Sequence, residues 1–326
     1  MLGNERTIER IRKDISAGYL SHAYLFSGEK GMGKKSLSEI LCLSLFCKEK
    51  SGGEPCRTCP DCKKVLSGNH PDILRVVHEK PDLYRVDEIR EQVCDTVEIR
   101  PYEGARKVYI IEEAQKMAPQ AQNALLKTLE EPPAFVTILL LCDDETKLLE
   151  TVKSRCVKVR MEPVPDPMIH RLLLTECGAD PETADICTAF ARGNAGLAQS
   201  LCRDEDFKSL YRKVINLCRN LSSMDAGSML EFGKEFAADG SSYEDFFSLL
   251  SLWCRDVLMT GLSGDGGLTF QNERGALRAQ AGKMSPEKVT KILSAIETAS
   301  RRIKANVNKE LTLELLLSNI KDISNL

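Results

Sequence analysis

His22-Ala23-Tyr24-Leu25-Phe26-Ser27-Gly28-Glu29-Lys30-Gly31-Met32-Gly33-Lys34-Lys35-Ser36 is the stretch whose reading decides the fold. An apolar run of strand character ends in glycines at 28, 31 and 33. The residues after it have helical composition. Glycines let successive backbone N–H groups turn into one concavity, and the following helix offers its positive end to an anion. The expected element is a phosphate-binding loop between a strand and a helix, with Gly28, Gly31, Gly33, Lys34 and Ser36 around the phosphates. In the pattern G-x-x-x-x-G-K-[ST] the last position supplies a hydroxyl to Mg²⁺. Here that position is Lys35. Ser36 does not replace it, because one residue along a helix turns the side chain by about 100°. A cradle for ATP or ADP with an impaired metal contact is therefore expected; the alternative is a glycine-rich turn without a ligand.

Working outward, Asn4 to Gly18 carries Ile8, Ile11 and Ile15 at amphipathic-helix spacing and ends on a glycine suited to a C-cap. Leu37 to Phe46 continues the helix after the loop. Asp72 to Val77 reads as a strand, and Val86 to Val97 as a helix with Asp87 at its N-cap and Ile89, Val93 and Val97 on one face. Lys107 to Glu113 reads as a buried strand ending in two carboxylates, Glu112 and Glu113. Such a pair can orient Mg²⁺ and polarise an attacking water; the alternative is two solvated carboxylates opening a helix. Asn123 to Glu131 reads as a helix stopped by Pro132-Pro133, Val136 to Cys142 as a central strand, Leu148 to Lys153 as a short helix and Val157 to Val159 as a last strand. Strands alternating with helices imply an α/β domain with a mostly parallel sheet covered on both faces.

Cys47, Cys56, Cys59 and Cys62 have the spacing C-x8-C-x2-C-x2-C in a segment rich in Gly52, Gly53, Pro55 and Pro60, read as irregular. Four thiolates at this spacing close a tetrahedral zinc site, and a site with no open position is structural rather than catalytic. The alternative is four free thiols. The other nine of the 13 cysteines, Cys42 and Cys142 among them, read as small core residues, and none has a sequence-adjacent histidine to make it a nucleophile. His22, His70, His78 and His170 form no ligand pair.

The chain has 326 residues, 42% hydrophobic and 29% charged, with a net charge of -3. That allows two or three domains and gives no global attraction to nucleic acid. No signal pattern and no apolar run of about 20 residues is present, which points to a cytoplasmic protein without a membrane span and to reduced thiols. Beyond Glu112 and Glu113 no carboxylate cluster suits two-metal polymerase or exonuclease chemistry.

The order of these motifs resembles one family. The glycine-rich loop with a four-cysteine insertion, Val108 to Glu113, Asn123-Ala124-Leu125-Leu126-Lys127-Thr128-Leu129-Glu130-Glu131-Pro132-Pro133, and Ser154-Arg155-Cys156 are similar to the AAA+ subunits of bacterial DNA polymerase III clamp loaders. The resemblance is good over residues 1 to about 205 and looser beyond. It lies nearer the delta-prime kind of subunit than the gamma/tau motor, and the lack of a long extension after residue 326 agrees. It implies that Arg155 acts in trans, reaching a neighbouring subunit's nucleotide site; the alternative is an ordinary surface ion pair. It also implies an assembly of gamma/tau and delta subunits in a hetero-oligomeric ring that loads a sliding clamp onto primed DNA. The implied architecture is an AAA+ domain over 1-162, a helical lid over 163-205 and an all-α collar over 206-326. Trp253 lies in the apolar Phe246 to Leu258 stretch, a break is expected at Gly261 to Gly267, and Ile303 to Ile320, with Leu311, Leu315 and Leu316, resembles the final collar helices that assemble the ring; the alternative is that these leucines serve only an intramolecular bundle.

Departures from the family pattern accompany Lys35. Cys142-Asp143-Asp144 lacks the polar Thr or Asn with which motors sense a γ-phosphate, and Gly196, in Gly193 to Ala198, stands where they carry a phosphate-contacting arginine. The expected function is a subunit that hydrolyses little ATP and donates Arg155. The competing readings are an active gamma/tau-like ATPase motor and a zinc-stabilised DNA-binding relative of helicases, the latter lacking any basic, aromatic-interleaved stretch.

Overall fold

The computed structural model describes residues 2–50, 54–81, 83–263 and 267–325. Gly52 and Gly53 of the cysteine segment lie outside the described residues. The chain divides into two compact units, one of residues 1–165 with 194–196, the other of 166–193 with 197–326.

In the first unit, strands β1 (Ala23–Ser27), β2 (Ile73–Val76), β3 (Lys107–Ile111), β4 (Val136–Cys142) and β5 (Val157–Arg160) form a sheet in the order β2-β3-β4-β1-β5. Every pairing is parallel, with Ser27 opposite Cys142 and Val76 opposite Ile111. Residues alternate between the two faces. Tyr24, Phe26, Val108, Ile110, Leu139 and Leu141 pack with Ile8 and Ile11 of α1 (Glu5–Ser16) and Leu37 and Leu41 of α2 (Lys34–Phe46). Leu25, Tyr109, Ile111, Ile138 and Leu140 pack on the other face. Each fully buried leucine or isoleucine contributes about 1.5–3 kcal/mol, so both faces must be covered. This is the three-layer α/β arrangement expected.

Several element bounds differ from the sequence reading for physical reasons. The cysteine segment is not wholly irregular: Pro60–Leu66 forms α3, with Cys59 as N-cap and Pro60 at the first helical position, where its missing N–H costs nothing. Asp87 is not an N-cap. The cap of α4 (Val86–Ile89) is Arg85, whose N–H is taken by Glu88 Oε2 at 2.7 Å. A π-turn over Arg90–Cys94 follows, closed by Asp95 N–H on the Arg90 carbonyl, and Ile89, Val93 and Val97 are all buried as expected. Helix α5 (Pro119–Glu130) begins a turn early because Pro119 fixes its first residue, and α6 is only Glu150–Lys153. The strand expected to run to Glu113 ends at Ile111, and Asp72 and Val77 fall outside β2. Gly18 lies one residue past the α1 cap, at φ 77°.

The second unit is helical: α7 (Asp166–Glu176), α8 (Pro181–Ala191), α9 (Ala195–Arg203), α10 (Glu205–Asn220), α11 (Ala226–Ala238), α12 (Tyr243–Ser263), α13 (Arg274–Ala281), α14 (Pro286–Lys304) and α15 (Lys309–Asn325). The first two residues of α9 cluster with the first unit. Trp253 is buried on α12, its indole N–H donating to Gln280 Oε1 at 2.8 Å. Helix α12 includes Gly261 to Ser263, the first three residues of the expected break, which are therefore helical; residues 264–266 of it lie outside the described residues. On α15, Leu316 is buried while Leu311 and Leu315 are exposed. Among the described residues no helix is long and apolar enough to cross a membrane.

Candidate nucleotide cradle and metal centre

Strand β1 lies between β4 and β5 while the chain leaves it for the distant β2, so the sheet order reverses beside it. Ligands of open parallel sheets sit at the carboxyl ends of strands at such a switch point. Residues 28–33 follow β1 there. Gly28, Gly31 and Gly33 have φ of 152°, 96° and 94°, a region other residues rarely adopt, and Gly33 caps α2. Among the described residues, no acceptor takes the backbone N–H groups of Gly33, Lys34, Lys35 and Ser36. These donors and the helix end form a concavity of the kind suited to an anion.

The side chains around it are paired. Lys34 Nζ is 2.6 Å from Asp143 Oδ1 and donates to the carbonyls of Gly28 at 2.5 Å and Glu29 at 2.9 Å, which uses its three protons. Asp143 is clamped by Gln115, which donates from Nε2 to Oδ2 at 3.0 Å and accepts the Asp143 N–H at 3.0 Å. Lys35 Nζ pairs with Glu112 Oε2, and Arg75 Nη1 lies 2.9 Å from Glu112 Oε1. Glu113, at φ 48°, pairs with Lys116 at 2.9 Å. Ser36 is exposed on the first turn of α2. Tyr84 reaches the Glu112 carbonyl at 2.9 Å, and burial, with Glu112 and Glu113 nearby, pushes its phenol pKa up. The structure thus brings the loop, Lys34 and Glu112 together as read from the sequence. It leaves Ser36 and Glu113 out of that contact set and adds Arg75, Gln115 and Asp143.

A further segment closes on the loop. Asn194 Nδ2 donates to the Lys30 carbonyl at 2.8 Å, and Gly196 N–H to the Gly31 carbonyl at 3.1 Å. A Cβ on Gly196 would lie 2.5 Å from that oxygen, so no side chain fits without movement.

The four cysteines meet as expected. All four sulfurs lie within 4.8 Å of one another, and Cys47 Sγ is 3.7 Å from Cys56 Sγ. Sulfurs about 2.3 Å from one tetrahedral zinc are about 3.8 Å apart, so the donor set and spacing fit zinc. Cys47 ends α2 and Cys59 caps α3. Backbone N–H groups of Cys56, Cys59 and Cys62 donate to Cys47, Cys56 and Cys59 sulfurs at 3.3, 3.3 and 3.5 Å, which favours thiolates. The Cys59 N–H, aided by Thr58, pulls the Cys56 thiol down to about 6, while burial pushes Cys62 up.

Arg155, just after α6, is not buried in its own fold. Its side chain is 34% exposed, with Nη2 2.5 Å from Glu130 Oε1 and Nη1 donating to the Thr151 carbonyl at 2.8 Å.

Residues 3–165 match the family described as DNA polymerase III, delta subunit, and residues 208–322 its C-terminal counterpart. The chain is 30% identical to DNA polymerase III subunit delta' of Bacillus subtilis over 322 residues, 97% of this chain and 96% of the relative. The chain belongs to the clamp-loader subunits of DNA polymerase III. It is also 32% identical to subunit tau of Escherichia coli over 206 residues, 62% of this chain but 32% of that relative. Among solved structures it is similar to a DNA polymerase III gamma subunit-related protein of Thermotoga maritima, at 20% identity and a TM-score of 0.44, covering 97% of this chain and 99% of that one.

Proposed function

We propose that this member of the family is a delta-prime-type subunit that hydrolyses little ATP itself and donates Arg155 to the nucleotide site of a neighbouring ATPase subunit. The observation that carries the reading is the Lys35–Glu112 pair: an ammonium is held by the carboxylate that would orient Mg²⁺, at the position where a motor has a hydroxyl. A half-exposed guanidinium, always charged and planar, suits the charge that develops on a transferred phosphoryl group. The near end-to-end similarity to a delta' subunit supports the assignment further.

In this reading the chain joins gamma/tau and delta subunits in a hetero-oligomeric ring that loads a sliding clamp onto primed DNA. Residues 163-205 serve as lid and 206-326 as collar, and zinc on Cys47, Cys56, Cys59 and Cys62 staples the insertion. The competing reading, a gamma/tau-like motor, draws on the open loop N–H groups and on the tau similarity.

Lys34→Ala and Arg155→Ala, each in this chain alone, separate the two when DNA-stimulated ATPase of the reconstituted loader is measured. The delta-prime reading expects Arg155→Ala to lower the rate by roughly 10-fold or more, with Lys34→Ala near wild type. A large Lys34→Ala effect beside a silent Arg155→Ala reverses the assignment.

A further inference from the structure

Building on the proposed donation of Arg155 to a neighbouring subunit, we infer that Gln122 is a positioning residue for that arginine. Its buried carboxamide fixes the register of α6, the turn that leads into Arg155, against α5.

Ala121, Leu125 and Leu129 of α5 share a core with Leu148, Val152 and Cys156. Hydrophobic contact is non-directional, so by itself it holds a one-turn helix weakly against sliding. Gln122 adds direction. It is 1% exposed, with Nε2 donating to the carbonyls of Met117 at 3.0 Å and Lys147 at 3.1 Å, and Oε1 accepting the Leu149 N–H at 2.8 Å. Both amide protons are used, and a carboxamide turned over would set its oxygen against two carbonyls.

Leu149 is where α6 starts. It is the N-cap, and its carbonyl accepts the N–H groups of Val152 and Lys153, each at 3.1 Å. From there the path to the arginine is short: the Arg155 N–H donates to the Val152 carbonyl at 3.2 Å, and its Nη1 to the Thr151 carbonyl at 2.8 Å. Glu130, about two turns further along α5, takes Nη2. Helix α5 therefore grips the segment at two points about 12 Å apart along its axis. Gln122 sets where the turn begins, and Glu130 sets where the guanidinium ends. A slide of α6 carries the Thr151 carbonyl and Arg155 with it, and a misplacement of about 1 Å in a group that meets the reacting phosphate can cost about 10²-fold in rate.

Gln122→Met in this chain, alone and combined with Arg155→Ala, is assayed in the reconstituted loader by DNA-stimulated ATPase. Methionine keeps the volume and unpairs the three backbone groups. The expected kcat is lower by about tenfold with KM for ATP within about twofold, because a donated arginine acts on the transition state. On the Arg155→Ala background the same substitution should change kcat by less than about twofold. A residue that served only the fold would lower the rate by the same factor on both backgrounds. Gln122→Ala, which leaves room for water at the three backbone groups, is the second variant and carries the same expectation where methionine lowers the melting temperature. Equal losses on both backgrounds, wild-type kcat in both variants, or two variants too unstable to assemble overturn the inference and leave the donated arginine standing. A silent Arg155→Ala overturns both.

Discussion

Arg155 and Glu130 form an ion pair at 2.5 Å that joins the Ser154-Arg155-Cys156 triplet to the end of α5. Two of the stretches that carry the family resemblance therefore meet at this contact, beside the core that Cys156 shares with Leu125 and Leu129. With side chains 34% and 49% exposed, the pair is solvent-screened and contributes about 0–1 kcal/mol to stability. On the proposed reading of Arg155, its weight lies in aiming the guanidinium. Glu130→Ala is expected to leave urea unfolding of the isolated chain within about 0.5 kcal/mol of wild type while lowering loader ATPase several-fold, less than Arg155→Ala does. An ATPase rate unchanged by Glu130→Ala would show that Glu130 does not position the arginine.

Gly196 is a second contact set by geometry. Its N–H satisfies the Gly31 carbonyl, and a Cβ there would press to 2.5 Å against the same oxygen. Gly196→Ala must push the start of α9 off the loop, also weakening the Asn194 contact with Lys30. The expected result is faster amide exchange confined to residues 28–33 and 194–198, with a stability loss of about 1–2 kcal/mol. Unaltered exchange in the loop would mean that the segment does not brace it.

Much of this was legible along the chain, and the rest was not for a definite reason. The apolar runs at 23–27, 107–111 and 136–142 declare buried parallel strands, and the positions of the glycines at 28, 31 and 33 declare the turn. Nothing local says that β1 lies beside β4, yet that adjacency brings Asp143 to Lys34. Likewise Arg75 reaches Glu112 only because β2 pairs with β3. Gln115, an ordinary polar residue in sequence, becomes a clamp once β4 ends beside it. The helix at Pro60–Leu66 is masked by the segment's glycines and prolines, although a proline right after a capping side chain is itself a helix-start signal. Arg155 and Glu130 each lie in a motif, but nothing along the chain pairs them.

His70 predicts a pH dependence. It is buried against Phe46 with ring centroids 4.1 Å apart, and its Nδ1 accepts the Asp72 N–H at 3.2 Å. Burial holds its pKa below the ordinary value against the opposing pull of Asp72, Asp61 and Glu103. A base with a depressed folded pKa takes up its proton more readily when unfolded. Its contribution is thus fully present above the unfolded pKa of about 6.5 and declines as pH falls through it. Urea unfolding between about pH 7.5 and 5.5 should show wild type losing more stability than His70→Gln, even though the variant starts lower. Equal slopes would remove His70 as the titrating group.

The cysteine cluster predicts a metal. Its four sulfurs lie close enough to share one tetrahedral ion, and three backbone N–H groups already favour their charged forms. The purified chain should carry about one zinc. Cys59→Ser should lower that content sharply, because Cys59 is both a ligand and the cap of α3, and a seven-residue helix has little else to hold it. Removing zinc with a chelator should lower the melting temperature and raise amide exchange over residues 54–66, with a smaller effect on the sheet, since only one of its two faces shares a core with Cys47, Cys59, Cys62 and Val65. A metal-free chain with the same melting temperature and exchange pattern would mean that the four thiols are held together by packing alone.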